Sequence, residues 1–247
     1  EHSDRFWADP FLLTQDDRQY LFFEEQIGSN PAHISIGQIV GGRLIDVKPI
    51  LVEEYHLSYP FIFRHEDSLY MIPESSVNRS VDLYRCESFP ANWVKVRTIL
   101  ADVTAADTTL FFKDDHWWLF SSICEYSGSC PHSSLRLFYS RDLLHGDFIP
   151  HVKNPICSDV SQSRPAGRLF YSQNEIYRPS QDCSIRYGYA INFNLITTLT
   201  TSDYKETTVR RIQPSWNNRC LGVHTYNSDT SHVVLDALIQ RRRFFSG

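Results

Sequence analysis

The sequence has no apolar run approaching the ~20 residues that a membrane-crossing helix requires, and it does not open with the charged, apolar and small-residue order of a secretory leader. It also lacks a starting methionine. The chain therefore reads as trimmed or mature, and its localisation stays open between cytoplasmic and exported. No segment repeats apolar residues at i, i+3, i+4 and i+7 over a helical length, which excludes a helical bundle. Positive charge is not in excess: the formal net charge is −5 and the pI is near 6.1, so nothing electrostatic calls for nucleic acid. Arg241-Arg242-Arg243 is a local exception that reads as a solvated chain end. The six cysteines are too few for a disulfide scaffold, and none is spaced as CxxC for zinc. Cys124 and Cys130 bracket a short loop, for which a disulfide and a pair of free thiols are equally compatible with the sequence.

What is present is a repeat. Hydrophobic residues make up 42% of the chain and aromatics 14%, ample for a packed core. The run Phe6-Trp7-Ala8-Asp9-Pro10-Phe11-Leu12 has degraded counterparts that place Tyr59, Asp107, Arg164 and His224 where the first places Asp9. A second aromatic-rich run follows each: Tyr20 to Glu25, Leu69 to Glu74, Trp117 to Ser122, Glu175 to Ser180, and His232 to Ala237. The segments between are turn-like, such as Gln15-Asp16-Asp17-Arg18 and Lys113-Asp114-Asp115, which makes each pair a hairpin. Third runs alternate with period two, as in His33 to Ile39, Ser80 to Arg85, Leu135 to Tyr139 and Ser184 to Ile191. Weaker fourth runs are Leu44 to Leu51, Val94 to Leu100, Phe148 to Val152 and Thr207 to Ile212. About four short antiparallel strands per unit, over five units, predict an all-β, five-bladed β-propeller filling residues 1–247 as one domain. The blades fall near 6–52, 57–101, 105–152, 162–213 and 221–245, the last so short that its outer strand is either missing or supplied by the N-terminus.

In a propeller the innermost strands line the axis, so Asp9, Tyr59, Asp107, Arg164 and His224 are expected to converge there. The polar residues ending the second strands are expected on the same rim: Glu24 or Glu25, Glu74, Ser121 or Ser122, Gln181 or Asp182, and Asp236. Only one of Glu24 and Glu25 can face the axis, because neighbouring strand residues point opposite ways.

These residues carry a resemblance. Ala8-Asp9-Pro10-Phe11 with Tyr20 to Glu24, and the spacing to Asp107, resemble the five-bladed glycoside hydrolase superfamily of arabinosidases, xylosidases and fructosidases. His56 to Phe61, Ile72 to Ser75, Ala106 to Leu110, Tyr177 to Gln181 and Gly222 to Asn227 extend it over nearly the whole chain. They resemble more closely the N-terminal propeller domain of plant glucosamine inositolphosphorylceramide transferases and its bacterial relatives. The plant chemistry is assigned to a separate C-terminal domain, for which this chain has no room. Composition alone predicts a soluble globule, expected as a monomer or weak oligomer, and the glycosidase likeness implies an enzyme acting on a carbohydrate or glycoconjugate. It implies Asp9 as base or nucleophile and Asp107 as orienting carboxylate, with Glu74 as general acid if its aromatic setting raises its pKa. Glu125 is the reserve acid. Tyr59, Arg164, Arg178, Gln181, His224, Trp7 and Glu24 are the expected substrate contacts. No cofactor is implied; the resemblance leaves room for a structural calcium ion, to whose ligands the sequence does not point.

Plainer readings stand beside these. Asp before Pro is an ordinary turn signal, and Asp107 before Thr108-Thr109 could cap a bend. Arg164 and Arg178 could simply pair with carboxylates, and His224 could be a hydrogen-bonded channel residue. Trp7, Trp117 and Trp118 could all be core aromatics, with at most one facing a pocket. The alternatives to a glycosidic-bond enzyme are a non-catalytic carbohydrate-binding or accessory module, and a biosynthetic enzyme for an anionic substrate.

Overall fold

The computed structural model describes residues 4–124 and 132–240. Glu125, Cys130 and Arg241 to Arg243 lie outside the described residues, and with them the reserve acid, the Cys124–Cys130 pairing and the basic spot. Among the described residues every regular element is a strand except one 3-10 turn at Ser76–Asn78.

Four sheets of four antiparallel strands follow one another along the chain. The first contains β1 (Arg5–Gln15), β2 (Arg18–Ile27), β3 (His33–Val40) and β4 (Arg43–Leu51). The second contains β5 (Ser58–His65), β6 (Ser68–Glu74), β7 (Ser80–Ser88) and β8 (Asn92–Ala101). The third contains β9 (Thr104–Lys113), β10 (His116–Cys124), β11 (Leu135–Ser140) and β12 (Ile149–Pro150). The fourth contains β13 (Phe170–Ser172), β14 (Glu175–Asp182), β15 (Ala190–Leu199) and β16 (Tyr204–Ile212). The hairpin chemistry is local. Asp16-Asp17, Asp114-Asp115 and Gln173-Asn174 hold positive φ at both residues of a two-residue loop, the geometry whose twist matches the flanking strands.

The repeat reading predicts five blades, and the structure has four. Among the described residues the fifth unit forms two short ladders: β17 (Cys220–Gly222) with β20 (Leu238–Ile239), and β18 (Tyr226–Ser228) with β19 (Val233–Leu235). Residues 220–240 are simply too few for four strands of ordinary length. Among the described residues the N-terminal strand does not make up the difference, because β1 is the inner strand of the first blade. The fifth unit still closes the ring. Tyr226 N–H donates to Ala166 O at 2.7 Å, while Asn227 donates to Pro10 O at 2.8 Å and accepts from Arg168 N–H at 3.0 Å, tying the fourth blade to the first. Another correction concerns Ser184 to Tyr189. Its alternation predicts the start of a third strand, but β15 begins at Ala190 and the segment is a loop.

Apolar faces of adjacent blades supply the core. Phe11, Phe22, Ile62, Met71 and Leu83 are fully or almost fully buried in one cluster spanning the first three blades. Each such side chain contributes on the order of 1.5–3 kcal/mol. A second cluster around Trp118, Phe120, Leu137 and Ile196 joins the third and fourth blades. A third, around Ala166, Phe193 and Val223, joins the fourth blade to the fifth unit.

One backbone device recurs and sets the axis. The pairing of β1, β5 and β9 with their neighbours slips between Ala8 and Phe11, between Ser58 and Phe61, and opposite Phe120 to Ser122. At those slips Asp9, Tyr59 and Asp107 adopt φ of 51°, 43° and 50°, rare for residues other than glycine. A bulge of this kind re-aims a side chain. It also detaches a backbone N–H from the ladder, and in all three cases a carboxylate of the preceding unit accepts it. Asp236 takes Asp9 N–H at 3.3 Å, Asp9 takes Tyr59 N–H at 3.1 Å, and Glu74 takes Asp107 N–H at 3.1 Å. By this test the fifth unit behaves as a blade despite its missing strands.

Tyr59 completes the brace. Its buried hydroxyl accepts from Gly167 N–H at 2.7 Å and lies 2.8 Å from the Thr109 hydroxyl. Tyr59→Phe should therefore lower stability by about 1–3 kcal/mol, the cost of leaving buried partners unsatisfied. Urea unfolding of the two proteins measures it, and an unchanged midpoint would refute the brace.

Candidate functional site

The bulges bring the inner-strand residues together as two linked clusters. In the first, Arg164 forks onto Asp107: Nε reaches Oδ2 at 2.5 Å and Nη2 reaches Oδ1 at 3.2 Å. Nη2 also reaches Glu74 Oε2 at 3.2 Å, and Gln181 Nε2 donates to Asp107 Oδ2 at 2.8 Å. Arg164 Nη1 donates to His132 Nδ1 at 3.1 Å. Two carboxylates thus share one guanidinium in a buried setting. Burial lifts the Asp107 carboxyl well above its usual range; Arg164 pulls it down, and the charges of Glu74 and Asp9 push it up again. Burial raises Glu74 as well, but Arg164, Asp107 and Ser76 outweigh it and leave Glu74 below the usual carboxylate range. His132 is depressed to about 4 by burial and by Arg164, so it is the neutral ring that can accept from the guanidinium.

In the second cluster the Thr225 hydroxyl donates to Asp9 Oδ1 at 2.6 Å, and His224 Nδ1 lies 3.8 Å from the same oxygen. His224 Nδ1 is paired more tightly with Asp236 Oδ2. The backbone N–H groups of His224 and Thr225 donate to Asp236 Oδ1 at 2.9 and 3.0 Å. Burial raises the Asp9 pKa to about 6: the His224 charge opposes this, while Glu24 and Asp236 add to it. Burial would lower His224, but Asp236 first and Asp9 next lift it to about 10. At neutral pH this places an imidazolium beside a carboxyl that titrates near 6.

Tyr187 joins the clusters. The Arg164 guanidinium lies 5.0 Å from its ring centre, and His132 and His224 flank it at 5.2 and 5.3 Å. It is carried by the loop that replaces the expected strand, where Gly188 holds φ of 62° and a Cβ would come within 2.8 Å of the His224 ring. Beside Tyr187 a pocket of about 230 Å³ opens between β1 and the fifth unit, with Trp7, Val223, His224 and Asp236 among its walls.

The family model described as "Glucosamine inositolphosphorylceramide transferase 1, N-terminal" matches residues 1–240. The chain belongs to this family. Among curated relatives it is 37% identical over 213 residues to Glucosamine inositolphosphorylceramide transferase 1 of Oryza sativa subsp. japonica, covering 84% of this chain and 28% of the relative. It is 33% identical over 244 residues to the Arabidopsis thaliana protein of the same name, covering 92% of this chain and 31% of the relative. The chain thus spans less than a third of the curated relatives it matches. Among solved structures, the catalytic domain of the Coprinopsis cinerea GH62 alpha-L-arabinofuranosidase superposes with a TM-score of 0.71 at 11% identity, covering 97% of this chain and 86% of that one. A Cellvibrio cellulosa alpha-L-arabinanase mutant gives 0.63 at 15% identity, covering 94% and 87%. At such identities these likenesses show the fold alone.

For this family member the expected site residues divide clearly. Asp9 and His224 meet in one cluster; Asp107, Glu74, Arg164 and Gln181 meet in the other. Tyr59 is present as a brace rather than an open surface. Arg178 is not brought to the axis. It lies three residues before Gln181 on β14 and so faces the opposite way, where it pairs with Glu206 at 2.9 and 2.6 Å. Glu24 faces His56 at 3.2 Å, whereas Glu25 turns to Arg5 and Trp7 at 2.9 Å each. Trp7 lines the pocket while Trp117 and Trp118 are buried. The expectation of a raised Glu74 is corrected: an arginine, not an aromatic wall, dominates its surroundings. His132, Tyr187 and Thr225 are additions. Thr225 follows His224 directly and was within reach of the repeat; His132 sits on a loop outside any periodicity, and Tyr187 on a loop whose alternation imitates a strand.

Among the described residues, Asp9, His224 and Asp236 present ligand atoms within 4.8 Å of one another. Calcium prefers six to eight oxygens. One imidazole nitrogen and two carboxylate oxygens already engaged by Thr225 and by each other's neighbours make a poor donor set for it.

Proposed function

We propose that this propeller is a carbohydrate-active enzyme that acts on a glycosidic bond at the axial end of the β1 pocket. The observation that carries the reading is the pairing of Asp9 and His224: 3.8 Å apart, with pKa values displaced to about 6 and about 10. Breaking a glycosidic bond requires an attacking base or nucleophile and a proton for the departing oxygen; His224 Nδ1 is engaged by Asp236 and lies beside Asp9, so the proton is delivered from the opposite ring nitrogen, Nε2. Asp9, ionised above pH 6, serves as base or nucleophile. His224, cationic through neutrality and held by Asp236, supplies the proton in the role first expected of Glu74. Asp107 keeps its orienting role by locking Arg164 and Gln181, while Glu74 clamps the third blade. The relatives' names and the fold shared with glycosidases support carbohydrate as the substrate class. Their transferase reaction is not proposed for a chain that spans under a third of them.

A second reading, carbohydrate binding without catalysis, is favoured by one observation: Asp9, Asp107, Glu74 and Asp236 all have hydrogen-bonded or charged partners within the ring. Assays against 4-nitrophenyl glycosides and oligosaccharides, run alongside calorimetric binding, separate the two. The enzyme reading expects turnover that falls about 10²–10⁴-fold in His224→Gln, the range for losing an acid–base group. Saturable sugar binding with no turnover by the parent would instead establish the second.

A further inference from the structure

The pocket beside Tyr187 has walls that the glycosidic reading does not use. Phe6, Trp7 and Leu238 line it and are each close to half exposed, and His224 and Asp236 line it with them. We infer that this pocket is the aglycone site, and that it takes a compact, largely apolar group joined to a sugar whose glycosidic bond reaches His224 and Asp9. The inference rests on the reading of the channel as glycoside-acting and adds the class of leaving group.

Three observations carry it beyond an exposed apolar spot. First, its aromatic walls are fixed before any ligand arrives. Trp7 Nε1 donates to Glu25 Oε1 at 2.9 Å and the indole packs 5.0 Å from Phe23. Tyr187 is held between His132 and His224. Preformed walls spare a ligand the entropy of ordering them. Second, the Tyr187 loop is pressed against the fifth unit at two glycines. A Cβ on Gly188 would meet His224 at 2.8 Å, and one on Gly222 would meet Gly188 O at 2.3 Å, so side chains there would push the wall out of place. Third, the charged side chains among its walls are His224 and Asp236, the pair that connects to Asp9. Apolar sides with a few convergent polar groups are the usual anatomy of a small-molecule site. The volume of about 230 Å³ sets the size. Judged against the ~30 Å³ share of a liquid water molecule, it holds on the order of ten non-hydrogen atoms, a ring or a short branched group.

The test follows the Trp7 indole N–H resonance, assigned with Trp7→Phe, during titration with butan-1-ol, hexan-1-ol, 4-nitrophenol and methyl β-glucoside. The expected result is saturable shifts with both alcohols and 4-nitrophenol, with hexanol binding roughly tenfold tighter than butanol for its two additional methylenes. Methyl β-glucoside should bind more weakly than hexanol. Ala237→Trp fills the pocket from an exposed position, and Leu238→Asp charges its rim; each should weaken hexanol binding at least tenfold while leaving the urea midpoint unchanged. Equal affinity for the two alcohols, or undiminished binding to Ala237→Trp, would overturn the assignment. Turnover is read separately. Turnover of 4-nitrophenyl glycosides that survives Ala237→Trp sinks the aglycone site and spares the channel chemistry, whereas apolar binding by a parent without turnover sinks the chemistry and spares the pocket.

Discussion

Arg164→Ala should destabilise the protein by about 3–5 kcal/mol at pH 7.5, the cost of stranding buried charge after removal of its partner. Arg164 is the cation shared by Asp107 and Glu74, and both of those carboxylates are largely removed from water. The pH dependence identifies the cause. In the parent, Glu74 lies below its ordinary pKa, so its stabilising contribution is present above the unfolded-state value and fades as pH falls through the folded one; Asp107, lifted by burial even with Arg164 in place, carries the opposite sign, a cost that sets in as pH rises past its unfolded value. Without Arg164 both carboxyls rise. The penalty then grows as pH climbs past the unfolded values near 4 and vanishes below them. Urea unfolding at pH 4 and pH 7.5 should therefore show a small difference at the first and the full loss at the second. Adding Asp107→Asn should recover much of the loss by removing one of the stranded charges. A deficit that is the same at both pH values would mean that lost packing, not stranded charge, is responsible.

The opposite sign is expected for Asp9→Asn. The Asp9 pKa is raised from 3.8 to about 6, so the folded state pays for ionising it, a cost absent below pH 4, growing between pH 4 and 6, and constant above. At ~1.4 kcal/mol per unit the cost reaches on the order of 3 kcal/mol. Asparagine removes the charge and retains an oxygen for Tyr59 N–H, while the Thr225 hydroxyl can turn to accept from the new amide. Asp9→Asn should thus be more stable than the parent by about 1–3 kcal/mol at pH 8 and indistinguishable from it at pH 4, with activity reduced about a thousandfold. Stability gained where activity is lost marks a group held against its own preference for function. A variant destabilised equally at both pH values would show that Asp9 is a structural staple alone.

How far the sequence reached depends on which interactions were periodic. The strands of the first three blades were legible because their third strands alternate apolar with polar residues, as in Ile34-Ser35-Ile36, Val81-Asp82-Leu83 and Leu135-Arg136-Leu137, and because acidic pairs such as Asp16-Asp17 and Asp114-Asp115 supply hairpin turns. The equivalence of Asp9, Tyr59 and Asp107 was legible too, since the bulge sits at the same place in each inner strand. The number of blades was not. A fifth inner strand with His224 resembles the others, but blade formation depends on the outer strands, for which residues 220–240 have no length. Arg178 was misplaced because the repeat fixes a position along a strand only to within one or two residues, and a single step reverses the face. Tyr187 was hidden for the converse reason: Ile185, Tyr187 and Tyr189 imitate strand alternation, while Gly188 at positive φ turns the segment into a loop. The acid was the least legible element. Whether Glu74 is raised or lowered depends on Arg164, ninety positions away in the chain and adjacent only in the folded ring.

The pH–rate profile of glycoside turnover, compared between the parent and Asp9→Asn, tests the account most directly. The parent's rate should rise as pH passes about 6, where Asp9 ionises, hold through neutrality, and decline as pH approaches about 10, where His224 gives up its charge. In Asp9→Asn the rising limb should disappear along with about a thousandfold of the rate. Undiminished turnover in Asp9→Asn, with the rising limb still in place, would contradict it.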